Sequence, residues 1–157
     1  MKRFMILLIT AAMVTLTALP ALALPKDKYD PRAPELSAAK FKETLAKEKY
    51  AWVMYTDSSP VVPENIKKQG EEFWDALKEK YQNQVKVFIK IDTNGWPKKA
   101  WEARKEIGTN TYPSFALYEN GHVMNVGTMY AVIVNGAPRK EQYQEIFDYI
   151  KEVSFLK

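Results

Sequence analysis

Cysteine and histidine, which are common in catalytic and metal sites, are nearly absent, because the 157-residue chain has no cysteine and one histidine. Without a thiol it cannot exchange disulfides or offer a thiolate to a metal. Ser58 and Ser59 are adjacent, but a serine nucleophile needs a base such as His122 within hydrogen-bond reach. We expect His122, in a predicted hairpin, to lie away from them. We therefore predict no enzyme activity, no metal and no cofactor.

Two well-defined elements flank these serines. Residues 50–56 are apolar and rich in strand-favouring side chains without polar alternation, which is typical of a buried central strand. Residues 57–63 break this pattern as a loop, and helical spacing predicts a helix over about 64–81. The serines are thus placed between a buried strand and the start of a helix.

Helices and strands alternate along the rest of the chain. Further helices are predicted at residues 35–49, 96–107 and 139–153. Further strands are predicted at residues 85–91, 115–118, 122–126 and 129–134. The turn Glu119-Asn120-Gly121 favours a hairpin between the second and third of these strands. This order predicts an α/β fold, in which a mixed sheet is covered by helices on both faces.

The first residues carry the pattern of an export signal. Lys2 and Arg3 precede an apolar run, and Ala21-Leu22-Ala23 supplies the small residues that precede signal-peptidase cleavage. We expect a signal peptide over 1–23, cleaved after Ala23, and a periplasmic or secreted protein. The alternative is a retained membrane anchor.

The part that remains after cleavage is nearly balanced in charge. Loss of Lys2 and Arg3, with no acid, halves the formal net charge of +4. The other cations are scattered among acidic residues, so nucleic-acid binding has little support. No later segment is long and apolar enough to span a bilayer. We expect an extended leader over 24–34 and one domain over 35–157.

Residues 91–121 resemble the thioredoxin-like superfamily, which includes thioredoxins and protein disulfide isomerase-type domains. Ile91-Asp92-Thr93-Asn94 is similar to the family's strand end and loop. Thr111-Tyr112-Pro113-Ser114 is similar to the family's proline turn, and Asn120-Gly121 falls at its hairpin turn. The resemblance implies a thioredoxin-like fold, a mixed central sheet flanked by helices on both faces, with a cis peptide bond before Pro113.

The same resemblance shows a departure at the redox site. Ser58-Ser59-Pro60-Val61-Val62 stands where redox-active members have Trp-Cys-Gly-Pro-Cys. By this alignment Ser59 and Val62 replace the two cysteines, and Val53 replaces the buried acid found in many members. We therefore expect a non-catalytic member that has lost redox activity.

In the family, the edge beside the proline turn holds extended peptides by strand-like hydrogen bonds. We predict that this chain binds a peptide or partner protein there, in a chaperone-like or assembly role. The predicted groove consists of Tyr55, Ser58, Ser59, Pro60, Val61, Val62, Trp96, Thr111, Tyr112 and Pro113. One alternative is a structural subunit of an envelope complex that docks through another face, such as the 35–49 helix. The other is an oxidoreductase-related or small-thiol-binding protein.

Overall fold

The computed structural model describes residues 43–94, 107–108, 111–126 and 130–157. Seven strands lie in this part of the chain: β1 (Tyr50–Thr56), β2 (Val87–Asp92), β3 (Ser114–Glu119), β4 (His122–Val123), β5 (Asn125–Val126), β6 (Tyr130–Ala131) and β7 (Ile133–Asn135). The main sheet has the order β2-β1-β3-β4, and β7 also pairs with β3. β5 and β6 form a separate two-stranded sheet.

β1 is the central strand, as predicted. It runs parallel to β2 and antiparallel to β3. Its residues 51–55 are all buried, because both faces of the sheet are covered at this strand. Burial on both faces explains the apolar run without polar alternation.

Two helices pack on one face of the sheet. The first, α1 (Glu64–Tyr81), has the predicted bounds and buries Phe73, Trp74 and Leu77. The second, α2 (Tyr143–Val153), follows a 3-10 turn over Lys140–Gln142. Both helices contribute to one core cluster with the sheet residues Trp52 and Phe115.

The last helix begins later than the predicted residue 139. Arg139 is extended, with φ −80° and ψ 156°. Its backbone N–H donates to the side-chain oxygen of Gln142, at 2.9 Å. This bond satisfies an N-terminal donor while the chain is still outside the helix. The segment therefore starts as a 3-10 turn and becomes α-helical only at Tyr143.

The opposite face of the sheet carries a second core cluster. Leu45, in the helical residues 43–46, and Ile107 pack there with Val53 and Ile89. Most of the predicted helices 35–49 and 96–107 lies outside the described residues.

The hairpin after Pro113 is confirmed, but its returning strand is interrupted. Asn120 and Gly121 adopt positive φ in the turn, at 51° and 85°. β4 ends at Val123, and the chain then departs into the β5–β6 hairpin before returning at Val132. Leu117 donates its N–H to Val132 and accepts that of Met124, at 3.0 and 2.8 Å. The prediction of a single strand over 122–126 is therefore wrong, because Leu117 of β3 hydrogen-bonds to two separate segments, at Met124 and at Val132.

Candidate functional site

The loop 57–63 joins β1 to α1 and is anchored to the end of β2. Asp92 Oδ1 accepts the backbone N–H groups of Ser58 and Asn94, both at 3.0 Å. Asn94 Nδ2 also donates to Ser58 Oγ, at 3.1 Å. Parallel strands end at the same edge of a sheet, so the end of β2 is beside the start of this loop. Asp92 therefore fixes the position of Ser58.

Further hydrogen bonds fix the loop from within and from α1. Asp57 Oδ1 accepts the N–H of Ser59 at 2.8 Å, which is the geometry of an Asx turn. Lys67 Nζ donates to the carbonyl of Ser58 at 3.1 Å. Both serines thus take part in interactions that shape the loop.

A serine–histidine pair is excluded by the strand register. His122 pairs with Glu119, and Glu119 pairs with Tyr50, the first residue of β1. Ser58 and Ser59 follow the other end of β1. Six strand residues at about 3.3 Å each separate the two ends by about 20 Å. The expectation that His122 lies away from the serines is confirmed.

The outer part of the loop presents an apolar side chain to solvent. Val61 is 86% exposed, the highest value among the large hydrophobic residues whose side-chain exposure the structure describes. Pro60 beside it is exposed as well. Val62 differs, since it is 8% exposed and belongs to the interior. The predicted site residues Val61 and Val62 therefore have opposite environments.

The proline turn has the predicted cis bond, between Tyr112 and Pro113, but its proline is not accessible. Pro113 is buried, and a β-carbon added at Gly70 of α1 would lie only 2.6 Å from its Cγ. Its carbonyl accepts the N–H of Gly136 at 2.9 Å. Pro113 packs between α1 and the segment after β7, so the prediction that it lines an open groove is wrong.

Tyr55 is a second correction. Its side chain is fully buried, and its hydroxyl lies 2.7 Å from that of Tyr118. The residue belongs to the core cluster on the face opposite α1 and α2, where Tyr112 also packs. A side chain that points from a central strand into a covered face cannot reach a peptide, so Tyr55 is not part of an exposed patch.

The other predicted groove residues divide into two groups. Ser58 and Thr111 are exposed, whereas Ser59 and Tyr112 are partly buried. Trp96 lies outside the described residues. The accessible surface is therefore smaller than the predicted groove and includes the exposed Val61.

Sequence reasoning missed a cleft of mixed charge beside the loop, which we call the charged cleft. It has a volume of about 490 Å³. It is lined by Thr56, Ser58, Glu64, Lys67, Lys68, Glu71, Lys90 and Asp92. Its cations and anions are partly paired, because Lys90 forms an ion pair with Glu71, and Lys67 lies 3.6 Å from Glu64.

The spacing of these charged residues in the sequence is a signal from which the charged cleft could have been predicted in part. Residues 64, 67, 68 and 71 share one face of a helix. Lys90 and Asp92 share one face of a strand. Only the parallel pairing of β1 and β2 brings the two faces together. Among the residues that the structure describes, no group of three His, Asp or Glu side chains could hold a metal ion. No helix in these ranges is long and apolar enough to cross a bilayer.

No protein-family model and no curated protein matches this chain. Solved structures do resemble it. Thioredoxin from Trypanosoma brucei brucei is 17% identical with a TM-score of 0.52, over 83% of this chain and 96% of that one. A chain of the complex between ferredoxin:thioredoxin reductase and thioredoxin f2 is 21% identical with a TM-score of 0.50, over 74% and 90%. Such identities concern the fold alone. The chain has a thioredoxin-like fold, so the predicted fold class is confirmed. It also contains no cysteine.

Proposed function

We propose that this chain is an exported, non-redox protein that binds a peptide segment or partner protein through the loop 57–63, in a chaperone-like or assembly role. The observation that carries the proposal is the 86% exposure of Val61 on a loop held by Asp92 and Lys67. Thiol–disulfide exchange is not the function, because the chain has no thiol with which to perform it.

The fixed loop favours binding for an energetic reason. A partner that docks on a mobile loop must order it, and each ordered side chain or residue reduces the net affinity. Here Ser58 and Ser59 are already hydrogen-bonded to Asp92 and Asp57. Val61 itself has a stiff, β-branched side chain. Little further ordering is needed to bury it against an apolar surface.

The charged cleft adds a source of selectivity next to Val61. Lys68 is exposed in this cleft. A partner that covers Val61 and reaches the cleft meets both signs of charge, which fixes orientation more than it adds affinity. The proposed partner is thus an apolar segment flanked by charged side chains.

A photo-crosslinker at Val61 tests this function. The matched control places the same group at Phe155, which is 76% exposed but belongs to the C-terminal residues after α2. We expect a discrete protein adduct from the Val61 position in the native exported fraction and none from Phe155.

A second pair of variants guards against a crosslinker artefact. Val61→Ser should abolish copurification of the crosslinked partner, whereas Phe155→Ser should not. Equal crosslinking from both positions, or none from Val61, would refute binding through the loop. Adducts obtained only from the exposed Glu43 position would instead support the structural-subunit alternative, which docks through the 35–49 face.

Export is part of the proposal and has its own test. The support is the cationic start, apolar run and Ala21-Leu22-Ala23 pattern. N-terminal sequencing of the protein from the cell envelope should begin at Leu24. An intact Met1 on envelope-associated protein would favour a retained anchor, and an intact Met1 on cytosolic protein would refute export.

A further inference from the structure

β7 has one edge that no other described strand covers. Within the described ranges it pairs only with β3. Leu117 donates its N–H to Val132, and Gly136 donates its N–H to Pro113. In an antiparallel pair the backbone groups of alternate residues face the partner strand. Positions 132, 134 and 136 therefore face β3, while the N–H and C=O groups of Ile133 and Asn135 face outward.

A groove runs along this edge, between β7 and α2. It has a volume of about 390 Å³ and is lined in part by Val134, Asn135, Glu145, Ile146 and Tyr149. Tyr149 is 44% exposed and Ile146 is partly buried. Ile146 and Tyr149 of α2 thus supply an apolar surface, with Glu145 next to it, beside backbone donors and acceptors that pair with no described strand. We call this feature the edge groove.

The geometry points to the edge groove as a β-augmentation site for an extended segment of another protein that alternates apolar and basic side chains along one face. An extended backbone is the group that matches two outward N–H and two outward C=O groups of a strand. This site is separate from the loop 57–63 and goes beyond the proposed function.

The side-chain preference follows from α2. Glu145 and Tyr149 are one helical turn apart, about 6 Å along the axis. Side chains at positions i and i+2 of an added strand are about 6.7 Å apart and point to the same face. One such side chain therefore reaches Tyr149 and Ile146 while the next reaches Glu145. An apolar residue suits the first position, and lysine or arginine suits the second.

The probe is an eight-residue peptide in which valine and lysine alternate along one face and threonine occupies the other. Its control is a copy N-methylated at the four central residues, which removes the backbone N–H donors of those four residues. The full chain is titrated with each peptide while its amide resonances are followed by NMR. We expect shifts at Ile133, Asn135 and residues 142–149, and at least tenfold weaker binding of the N-methylated copy.

Charge reversal on α2 provides a variant that does not touch the strand. Glu145→Lys should weaken binding of the unmodified peptide roughly fivefold at low salt, because one ionic contact becomes repulsive. Glu79→Lys makes the same change at an exposed position of α1 and should leave binding unchanged. Val61→Ser should also leave it unchanged, which separates this site from the loop.

Three results would overturn the inference. Equal binding of the N-methylated copy would mean that the backbone edge is not used. Shifts confined to the loop 57–63 would place the peptide elsewhere. Shifts at Ile133 and Asn135 that grow with protein concentration alone would show that a second copy of the chain occupies the edge.

Discussion

Gly70 offers a sharp test of how α1 packs on the proline turn. A β-carbon at this position would lie 2.6 Å from Pro113 Cγ, 3.2 Å from Pro113 Cβ and 3.4 Å from Met54 Cε. Carbon atoms prefer separations of about 3.5–4.0 Å. The proline ring cannot rotate away like a long side chain. Gly70→Ala therefore forces the helix and the turn apart.

Two opposing effects set the magnitude of this change. Alanine favours a helix interior over glycine by about 1 kcal/mol. Overpacking of a well-filled contact costs about 1–3 kcal/mol. Since the closest contact is with a rigid ring, we expect the packing cost to exceed the gain. The free energy of unfolding should fall by about 1 kcal/mol, and the Tm by roughly 4 °C.

Urea denaturation followed by tryptophan fluorescence measures the change, with Lys68→Ala as the control. Lys68 is exposed on the same helix, so its variant should stay within about 0.5 kcal/mol of the parent. Hydrogen exchange gives a local readout, because the Gly136 N–H bonds to the Pro113 carbonyl at 2.9 Å and should exchange faster in Gly70→Ala. A variant that is more stable by about 1 kcal/mol, with unchanged Gly136 exchange, would refute the close contact.

Four further predictions concern buried hydroxyls and the loop. The buried hydroxyl of Tyr81 has no hydrogen-bond partner among the described residues, so Tyr81→Phe should be neutral or stabilising by about 1 kcal/mol, and Tyr81→Phe less stable than the parent would contradict this. Tyr55→Phe loses the bond to Tyr118 and should destabilise by about 1 kcal/mol in the same urea assay; an unchanged value would refute that bond. Burial raises the pKa of Tyr81, so above about pH 10 the unfolded chain loses the phenol proton while the folded chain keeps it, and the free energy of unfolding falls as the pH rises further. Between about pH 8 and pH 11, urea titrations should show a smaller fall in the free energy of unfolding for Tyr81→Phe than for the parent. Equal falls would refute this prediction. Asp92→Ala removes the acceptor of the Ser58 N–H and should speed exchange of that amide at least fivefold while Asp92→Asn, which keeps an oxygen, has a smaller effect; unchanged exchange in Asp92→Ala would contradict the anchoring of the loop.

Sequence patterns predicted much of the fold because the periodicity of a helix or strand depends on residues close together in the chain. The bounds of α1 agree because its apolar side chains recur at helical spacing over 18 residues. β1 agrees because a strand buried on both faces needs a continuous apolar run. The prediction of one strand over 122–126 failed because the strand is interrupted where Leu117 hydrogen-bonds to both Met124 and Val132. Val132 is not a sequence neighbour of this strand, so its hydrogen bond could not be read from the local pattern.

The candidate site was predicted less well, since accessibility is not a local property. Tyr55, Val61 and Pro113 are all apolar or aromatic residues next to turns or strand ends, and the sequence ranks them alike. In the structure Val61 is 86% exposed and Tyr55 is fully buried. The charged cleft was missed for the same reason, because its two halves belong to α1 and β2.

The sequence by itself determined the chemistry that this protein lacks and the order of its elements. A chain without cysteine has no thiolate in any conformation. The order of helices and strands is predictable because their periodicity depends on the spacing of apolar residues close together in the sequence. Only the tertiary structure decided that Pro113 is covered by Gly70, that Val61 is presented to solvent and that the outward groups of β7 pair with no other described strand. Burial and hydrogen-bond pairing are decided by residues far apart in the chain, which meet only when the sheet and its helices have packed.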